Sequence, residues 1–134
     1  MPITTVRLGS PRNAKEGLRI GTVRRPPRDV SKSEYAKRDF YDVWLPNLSP
    51  SQALIKKAKA AHDKRSWSIF ERKFRAEMNA PDAAEILDLL AALSDRTDFS
   101  VGCYCSDESR CHRSILRQLL AERDAIFAGK GRAS

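Results

Sequence analysis

The sequence predicts a single α/β domain with a small, partly parallel sheet of three to four strands, flanked by about four helices in Rossmann-like layers. Short apolar or alternating runs lie within the first 45 positions, and another lies at 99–104. Apolar residues spaced three and four apart mark the segments between and after these runs. With 134 residues and no internal repeat, the chain is long enough for one core. We assign 1–134 to one domain, with its core at about 15–127 and a flexible tail at 128–134.

The predicted strands are short apolar or alternating runs bounded by turn residues. Four segments qualify: 3–8, 18–24, 42–45 and 99–104. The second of them runs into a loop at 24–29, because the tandem prolines Pro26 and Pro27 remove backbone donors and hold the chain extended. Pro46 closes the third strand, and the apolar run 99–104 is the best candidate for a buried strand.

The helices are predicted from apolar periodicity and from their end signals. The first has Ser49 as N-cap and Pro50 at its first helical position, and it continues to Ala61. The second carries a stripe expected to pack in the core, made up of Trp67, Phe70, Phe74 and Met78. The third begins at 80–82 and runs through Leu93, and the fourth begins at 109–111 and continues through Ile126 and Phe127.

Charge and composition indicate a soluble globular protein of the cytoplasm with an electropositive face. The chain carries a net charge of +8, with ten Lys and Arg against four Asp and Glu in 1–40, and eight against three in 51–80. Such a face is able to attract phosphates or nucleic acid, and the alternative is a solvated basic surface that only keeps the protein soluble. The apolar runs are far shorter than the roughly 18 residues of a membrane span, so no membrane partner is expected. The oligomeric state is left open.

All three cysteines lie within nine positions, between the 99–104 strand and the last helix. They are Cys103, Cys105 and Cys111, and His112 and Arg113 follow directly. A strand, a tight loop and a helix form half of a βαβ unit, in which ligands sit outside the carboxyl end of the strand. In an intracellular protein, three cysteines are thiols or metal ligands more often than a structural disulfide. We therefore predict the functional site at this junction.

Two chemistries of the cysteines compete there. In the first, the helix start and the neighbouring Arg113 lower the pKa of Cys111, which makes Cys111 a candidate nucleophile and His112 a candidate acid or base. In the second, Cys103, Cys105 and Cys111 bind zinc. Cys103 and Cys105 would share a strand face about 6.6 Å apart. Side chains of adjacent residues in a helical turn diverge by about 100°, so we expect His112 to reach the same ion as Cys111 only with strain.

A third interpretation is anion binding without covalent chemistry. Arg113 and the first-turn amides would donate to the anion, and Arg24 and Arg28 would converge on it from the end of the second strand. The alternative is a packing role, with Cys103 and Cys111 as small buried side chains, since free cysteine is among the most buried residue types.

An ordered set of residues resembles the YeaO-like branch of the domain of unknown function 488 (DUF488) family, from about residue 15 to 120. These landmarks are Gly17-x-Arg19, Arg24-x-x-Pro27-Arg28, Ser31-Lys32, Trp44, Leu48-Ser49-Pro50-Ser51, Trp67-x-x-Phe70-x-x-x-Phe74-x-x-Glu77, Cys103 and Cys111-His112-Arg113-x-x-Leu116. The resemblance implies a compact α/β domain whose site combines the arginine loop with the Cys-His-Arg helix start. It implies no established activity.

The leading hypothesis from the sequence is recognition of a phosphate-bearing ligand, such as a nucleotide or a nucleic-acid end. Arg24, Arg28 and Arg113 would bind the anion, with Cys111 and His112 as the reactive pair, and no cofactor is required. The alternative hypothesis is a zinc-stabilised interaction module without catalysis. Whether the protein is an enzyme is left open.

Overall fold

Four parallel strands form one sheet in the computed structural model of the protein, which describes residues 2–60, 63–105 and 111–128. In the order β1-β4-β2-β3, the strands are β1 (Ile3–Arg7), β4 (Phe99–Cys103), β2 (Leu18–Gly21) and β3 (Val43–Trp44). Val101 of β4 lies between Thr5 of β1 and Ile20 of β2. The predicted α/β fold class is confirmed, and each strand pair is parallel, whereas the sequence predicted a partly parallel sheet.

Four helices accompany the sheet, as predicted. They are α1 (Gln52–Ala60), α2 (Lys64–Met78), α3 (Pro81–Leu93) and α4 (His112–Ala121), and short 3-10 turns occur at Lys32–Glu34 and Pro46–Leu48. The three helices α1 to α3 lie between β3 and β4 in the chain, and α4 follows β4. Among the described residues, no helix has both the length and the apolar character needed to span a membrane.

The main core lies between one face of the sheet and the helices. Phe70, Phe74 and Met78 are buried on one face of α2, as their spacing predicted, because residues three and four apart share a helix face. They belong to the same cluster as Ile20 of β2 and Val101 of β4. This packing holds the central strands and α2 against each other.

The chain between β1 and β3 is irregular apart from β2, and this irregular part covers the opposite face of the sheet. A Cβ atom at Gly21 would overlap the ring of Tyr41, so only glycine allows this ring to lie directly on β2. Leu8, Val23 and Tyr41 form a second buried cluster that also contains Cys103 and Cys111. The two buried thiols therefore lie at the boundary between this covering segment and the end of β4.

The predicted start of the first helix is wrong by two residues. The helix begins at Gln52, because Ser51 caps it: the Leu54 N–H donates to Ser51 Oγ at 3.3 Å. The Ser51 N–H in turn donates at 2.9 Å to the carboxylate of Glu77, near the C-terminal end of α2. Ser49 therefore precedes the helix, and the predicted end at Ala61 lies outside the described residues.

The predicted extent of the last helix is also wrong, since Ile126 and Phe127 lie beyond its end at Ala121. The chain turns at Asp124, whose φ is 62°, and then runs beside β1. The Ile3 N–H donates to the Ile126 carbonyl at 2.8 Å, and the Ala128 N–H donates to the Ile3 carbonyl at 2.8 Å. Residues 126–128 make these backbone hydrogen bonds with β1 and do not continue the helix. The apolar periodicity of the sequence could not predict this pairing, because β1 is distant in sequence.

The predicted end of the second strand and the predicted start of the last helix also differ from the structure or lie outside the described residues. The second strand ends at Gly21, not at residue 24, and beyond it the Val23 carbonyl accepts the Trp44 indole N–H at 2.7 Å. The predicted start of the last helix at 109–111 falls mostly outside the described residues, and the helix is observed from His112. Of the predicted tail at 128–134, positions 129–134 also lie outside them.

Candidate metal centre

The candidate site lies at the carboxyl edge of the sheet. Because the strands are parallel, their carboxyl ends meet on one side, where ligands of such folds bind. β4 ends there with Cys103, β2 continues there into Thr22, and α4 starts there with Cys111 as its N-cap residue. Two parts of the chain that are far apart in sequence, the end of β2 and the junction of β4 with α4, thus deliver polar or sulfur atoms to one place.

Cys103, Cys111 and His112 form a compact group of metal-ligand side chains. One ligand atom from each lies within 4.8 Å of the others. Cys103 is 1% exposed, Cys111 is 2% exposed and His112 is half-buried. The two thiols and the imidazole are therefore preassembled in a largely water-free environment.

The orientation of His112 is set by Thr22. Its Nε2–H donates to the Thr22 carbonyl at 2.6 Å and lies 3.2 Å from the Thr22 hydroxyl, which itself donates to the Gly102 carbonyl at 3.0 Å. Nδ1 faces the Cys111 sulfur at 3.7 Å. Burial lowers the pKa of His112 to about 4, so the ring is neutral at pH 7. With the proton on Nε2, the Nδ1 lone pair points into the thiol cluster.

The expectation that Cys111 and His112 diverge is wrong. It assumed that both residues are helical, whereas Cys111 has an extended backbone with φ −132° and ψ 150°. At an N-cap, the residue before the first helical position has a different direction from its helical neighbour. The two side chains consequently converge, and His112 joins the cysteines as a ligand candidate.

Cys105 is exposed and is not part of this group of three, but its thiol interacts with the two buried thiols. Hydrogen bonds from Cys103 and Cys111 outweigh desolvation and, with smaller electrostatic contributions from His112 and Arg113, hold the pKa of Cys105 far below its usual range. The same interaction with Cys105 and Cys111, together with burial, raises the pKa of Cys103. A negative charge in the cluster therefore resides on Cys105 while the buried thiols stay protonated.

The interactions among the three thiols also determine the pKa of Cys111, the predicted nucleophile. The hydrogen bond with Cys103 favours the Cys111 thiolate, but the hydrogen bond with Cys105 and desolvation prevail and raise the pKa of Cys111 to about 11. As an isolated thiol, Cys111 is therefore protonated at pH 7 and shielded from water. Its thiolate forms only if His112 accepts the thiol proton or a bound cation balances the negative charge of the sulfur.

Arg113 is buried beside the cluster, with 4% of its surface exposed. Its Nη2 donates to the Cys105 carbonyl at 2.8 Å, and its Nε is buried without a hydrogen-bond partner. No carboxylate of the described residues pairs with it. A buried cation is costly unless a negative charge balances it, and a thiolate at Cys105, a bound anion or a metal–thiolate cluster would do so.

The other two predicted anion-binding arginines lie in different surroundings. Arg24 donates to the carbonyls of Ser49 at 3.1 Å and Pro50 at 3.2 Å, and it borders a cavity of about 300 Å³ that Glu77 and Asp82 also line. Arg28 is exposed and makes no hydrogen bond or ion pair with the described part of the chain. The predicted convergence of Arg24 and Arg28 on Arg113 stays a prediction.

Thr22 is the functional residue that sequence reasoning missed. Its contribution comes mainly from its backbone carbonyl, which carries no side-chain signature. A usable signal existed nonetheless: Thr22 is the polar residue directly after a buried strand, and polar groups at that edge contact ligands or their supporting side chains. Recognising it required knowing that β2 and β4 are neighbours.

Comparison with known proteins identifies one family. A family model described as DUF488-N3a, the active DUF488-N3 subclade, matches residues 3–124. This match spans every strand and helix of the domain. Neither the curated proteins nor the solved structures gave a match.

Proposed function

Since the chain belongs to the DUF488 family, in the DUF488-N3 subclade described as active, we propose that Cys103, Cys111 and His112 bind a zinc ion, with Cys105 as the fourth ligand. The protein is then a zinc-binding α/β domain whose metal ties the end of β4 to the start of α4. The observation that carries this proposal is the grouping of the three ligand atoms within 4.8 Å.

The ligand types and the histidine tautomer fit zinc. Structural zinc sites are built from cysteine sulfur and histidine nitrogen, including sets of three cysteines and one histidine. At a Zn–S distance of about 2.3 Å, tetrahedral ligand sulfurs are about 3.8 Å apart, so the cluster needs to contract by at most roughly 1 Å. A metal-bound histidine usually donates its other N–H to a carbonyl or carboxylate, which is the contact that His112 makes with Thr22.

The charge of Arg113 also fits this ligand set. Three thiolates and one neutral imidazole around a divalent ion leave a net charge of −1, which the buried guanidinium balances. Metal binding removes the thiol protons and so reverses the raised pKa values of Cys103 and Cys111. With four protein ligands, a bound zinc ion supplies structural stability.

Elemental analysis of protein purified without chelator tests the proposal. The parent protein should contain about one equivalent of zinc, and cobalt exchange should give the thiolate-to-cobalt charge-transfer absorption of a sulfur-ligated site. Cys103→Ser and His112→Gln should lose most of the metal. The chain's other histidine provides the matched control, His62→Gln, which should retain it. Protein without metal, or metal retained in Cys103→Ser, contradicts the proposal.

A second candidate function is recognition of a phosphate-bearing ligand, the hypothesis that led the sequence analysis. The observation that favours it is Arg113, a buried cation with an unpartnered Nε and no carboxylate partner among the described residues. In this case a bound anion would supply the missing charge, with Arg24 and Arg28 as further donors. Cys111 and His112 would then act as the nucleophile and its base.

Calorimetric titration with inorganic phosphate and with a 5′-phosphorylated oligonucleotide separates the two candidates. Phosphate recognition predicts binding that is weakened at least tenfold in Arg28→Ala and Arg113→Lys, and is unchanged in the exposed control Arg96→Ala. Zinc binding alone predicts no affinity for inorganic phosphate and no effect of Arg28→Ala or Arg113→Lys on oligonucleotide binding. If Arg28→Ala binds like the parent protein, the convergence of the arginines is refuted.

Two finer assignments are part of the proposal. We place the chain in the YeaO-like branch of its family because the ordered landmarks resemble it, and in the cytoplasm because three clustered cysteines are typical of thiols or metal ligands in a reducing compartment. Cell fractionation tests the second assignment, and a phylogeny of the family tests the first.

A further inference from the structure

The outer faces of α1 and α2 form a continuous cationic surface, which we call the α1–α2 surface. It carries seven exposed basic side chains: Lys56, Lys57, Lys59, Lys64, Arg65, Arg72 and Lys73. The two helices pack side by side, with Phe70 and Phe74 turned inward to the core. The helical period therefore turns the basic residues of α2 outward, away from that apolar stripe.

The charge of this surface is not neutralised within the described part of the chain. Apart from Asp63, no carboxylate of the described residues forms an ion pair with any of these seven cations. The acidic residues nearby have other partners: Glu71 pairs with Arg75 at 3.3 Å, and Asp63 caps α2 by accepting the Ser66 N–H at 2.7 Å. The surface thus retains a strong positive potential toward solvent.

Two of the lysines lie close together where the helices meet. The charge of Lys57 on α1, with a smaller contribution from Arg72, lowers the pKa of Lys73 on α2. Like charges in contact repel, so a folded protein that keeps them together gains when an anion is placed between them. The contact marks the junction of the two helices as the centre of the surface.

The surface lacks the features of a membrane anchor. Helices that lie on a bilayer insert large apolar side chains below their basic ones. Among the described residues, the exposed large hydrophobic side chains all lie outside α1 and α2; they are Leu18, Val43, Trp44, Leu89 and Tyr104. The surface therefore offers positive charge without apolar side chains to insert. The phosphodiester backbone of a dissolved nucleic acid can be bound by positive charge alone.

We propose that the α1–α2 surface binds the phosphodiester backbone of a nucleic acid. The 15 residues of α2 span about 22 Å, and a duplex carries one charge per roughly 1.7 Å of its axis, so several phosphates lie within reach of the surface. Binding is electrostatic and independent of base sequence. This binding uses none of the residues of the zinc cluster. The proposal is therefore independent of the proposed zinc site.

Fluorescence anisotropy of a labelled mixed-sequence duplex, measured over a series of salt concentrations, tests this proposal. The parent protein should bind with an affinity that falls steeply with salt, with a logarithmic slope of about −4 to −6 for five to seven phosphate contacts. The variant Lys57→Gln, Arg72→Gln, Lys73→Gln should reduce the slope by about 3 and weaken binding at least tenfold at roughly 0.1 M salt.

The matched control removes the same charge from another part of the chain. Lys15, Lys32 and Lys37 are exposed lysines between β1 and β3, and their triple change to Gln should alter the slope by less than one. Circular dichroism establishes that both variants are folded.

Three results would overturn the proposal. The first is the absence of duplex binding by the parent protein at low salt. The second is an equal loss in both triple variants, which would show that net charge alone attracts the oligonucleotide. The third is tighter binding to vesicles of phosphatidylserine than to the duplex at equal phosphate, which would make the surface a lipid contact.

Discussion

Replacing Arg19 by Met removes one half of a buried ion pair beneath the sheet. Arg19 is 0% exposed, and its Nε and Nη2 donate to the two carboxylate oxygens of Glu16 at 2.6 and 2.8 Å. Its Nη1 donates to the carbonyls of Ser10 at 2.9 Å and Asp39 at 2.6 Å. Ser100 donates to Glu16 at 2.6 Å. The variant leaves a carboxylate and two carbonyls without these donors.

The expected cost follows from these contacts. Removing one partner of a buried ion pair costs about 3–5 kcal/mol, because the remaining charge is buried without compensation. The two carbonyls add about 1–2 kcal/mol, which gives a total of about 4–7 kcal/mol. This is a large part of the roughly 5–15 kcal/mol by which domains of this kind are stable.

The cost should depend on pH in a defined direction. In the parent protein, desolvation raises the pKa of Glu16, but the hydrogen bonds from Arg19 and Ser100 prevail and hold it below its ordinary value of 4.5. The ionised carboxylate therefore contributes stability above about pH 4.5, and this contribution is lost as the pH falls through the folded pKa. Without Arg19, desolvation raises the pKa of Glu16, so the variant should lose less stability at pH 4 than at pH 7.

Urea unfolding at pH 4 and pH 7 measures both effects. Arg12→Met is the matched control, because the Arg12 to Asp42 pair at 2.7 Å is partly exposed and should contribute about 1 kcal/mol or less. The double variant Glu16→Gln, Arg19→Met should be more stable at pH 7 than Arg19→Met alone. The reasoning is refuted if Arg19→Met at pH 7 costs no more than the control, or if its cost is the same at both pH values.

Three further outcomes are expected. Gly17→Ala should lower the free energy of unfolding by about 2–4 kcal/mol in a urea titration, because Gly17 has a φ of 76° and an added Cβ would overlap the Asp98 carbonyl; a neutral effect would be inconsistent with this geometry. Asp124→Gly should stabilise by about 0.5–1 kcal/mol in the same assay, since the residue has a φ of 62° after α4, and a loss of stability would argue against this turn. Cys105→Ser should retain zinc at reduced affinity in a competitive chelator titration, because three ligands remain; affinity equal to that of the parent would remove Cys105 from the site.

Local sequence patterns were sufficient for most of the fold. The stripe Phe70, Phe74 and Met78 predicted the buried face of α2, because each of these contacts follows from a helix period. The apolar run at 99–104 predicted β4, the central strand with neighbours on both sides. What the patterns missed depends on distant partners. The end of α4 at Ala121 reflects backbone pairing with Ile3, which no window of neighbouring residues contains.

The candidate site shows the same division. The sequence located the cluster at the correct junction, since three cysteines and a histidine in a short segment are an unusual combination. It misjudged the geometry of Cys111 and His112, because the extended N-cap backbone of Cys111 is a property of the helix end and not of residue type. The contact of the Thr22 carbonyl with His112 was out of reach for another reason, since it depends on the pairing of β2 with β4, which is distant in sequence.

X-ray absorption at the zinc edge of the purified protein tests the central claim most directly. The account predicts about one zinc per chain, with three sulfur neighbours at about 2.3 Å and one nitrogen at about 2.0 Å. The nitrogen contribution should be lost in His112→Gln and unchanged in His62→Gln. A first shell of oxygen and nitrogen only, or a protein that binds no zinc when it is supplied in excess, would contradict the account.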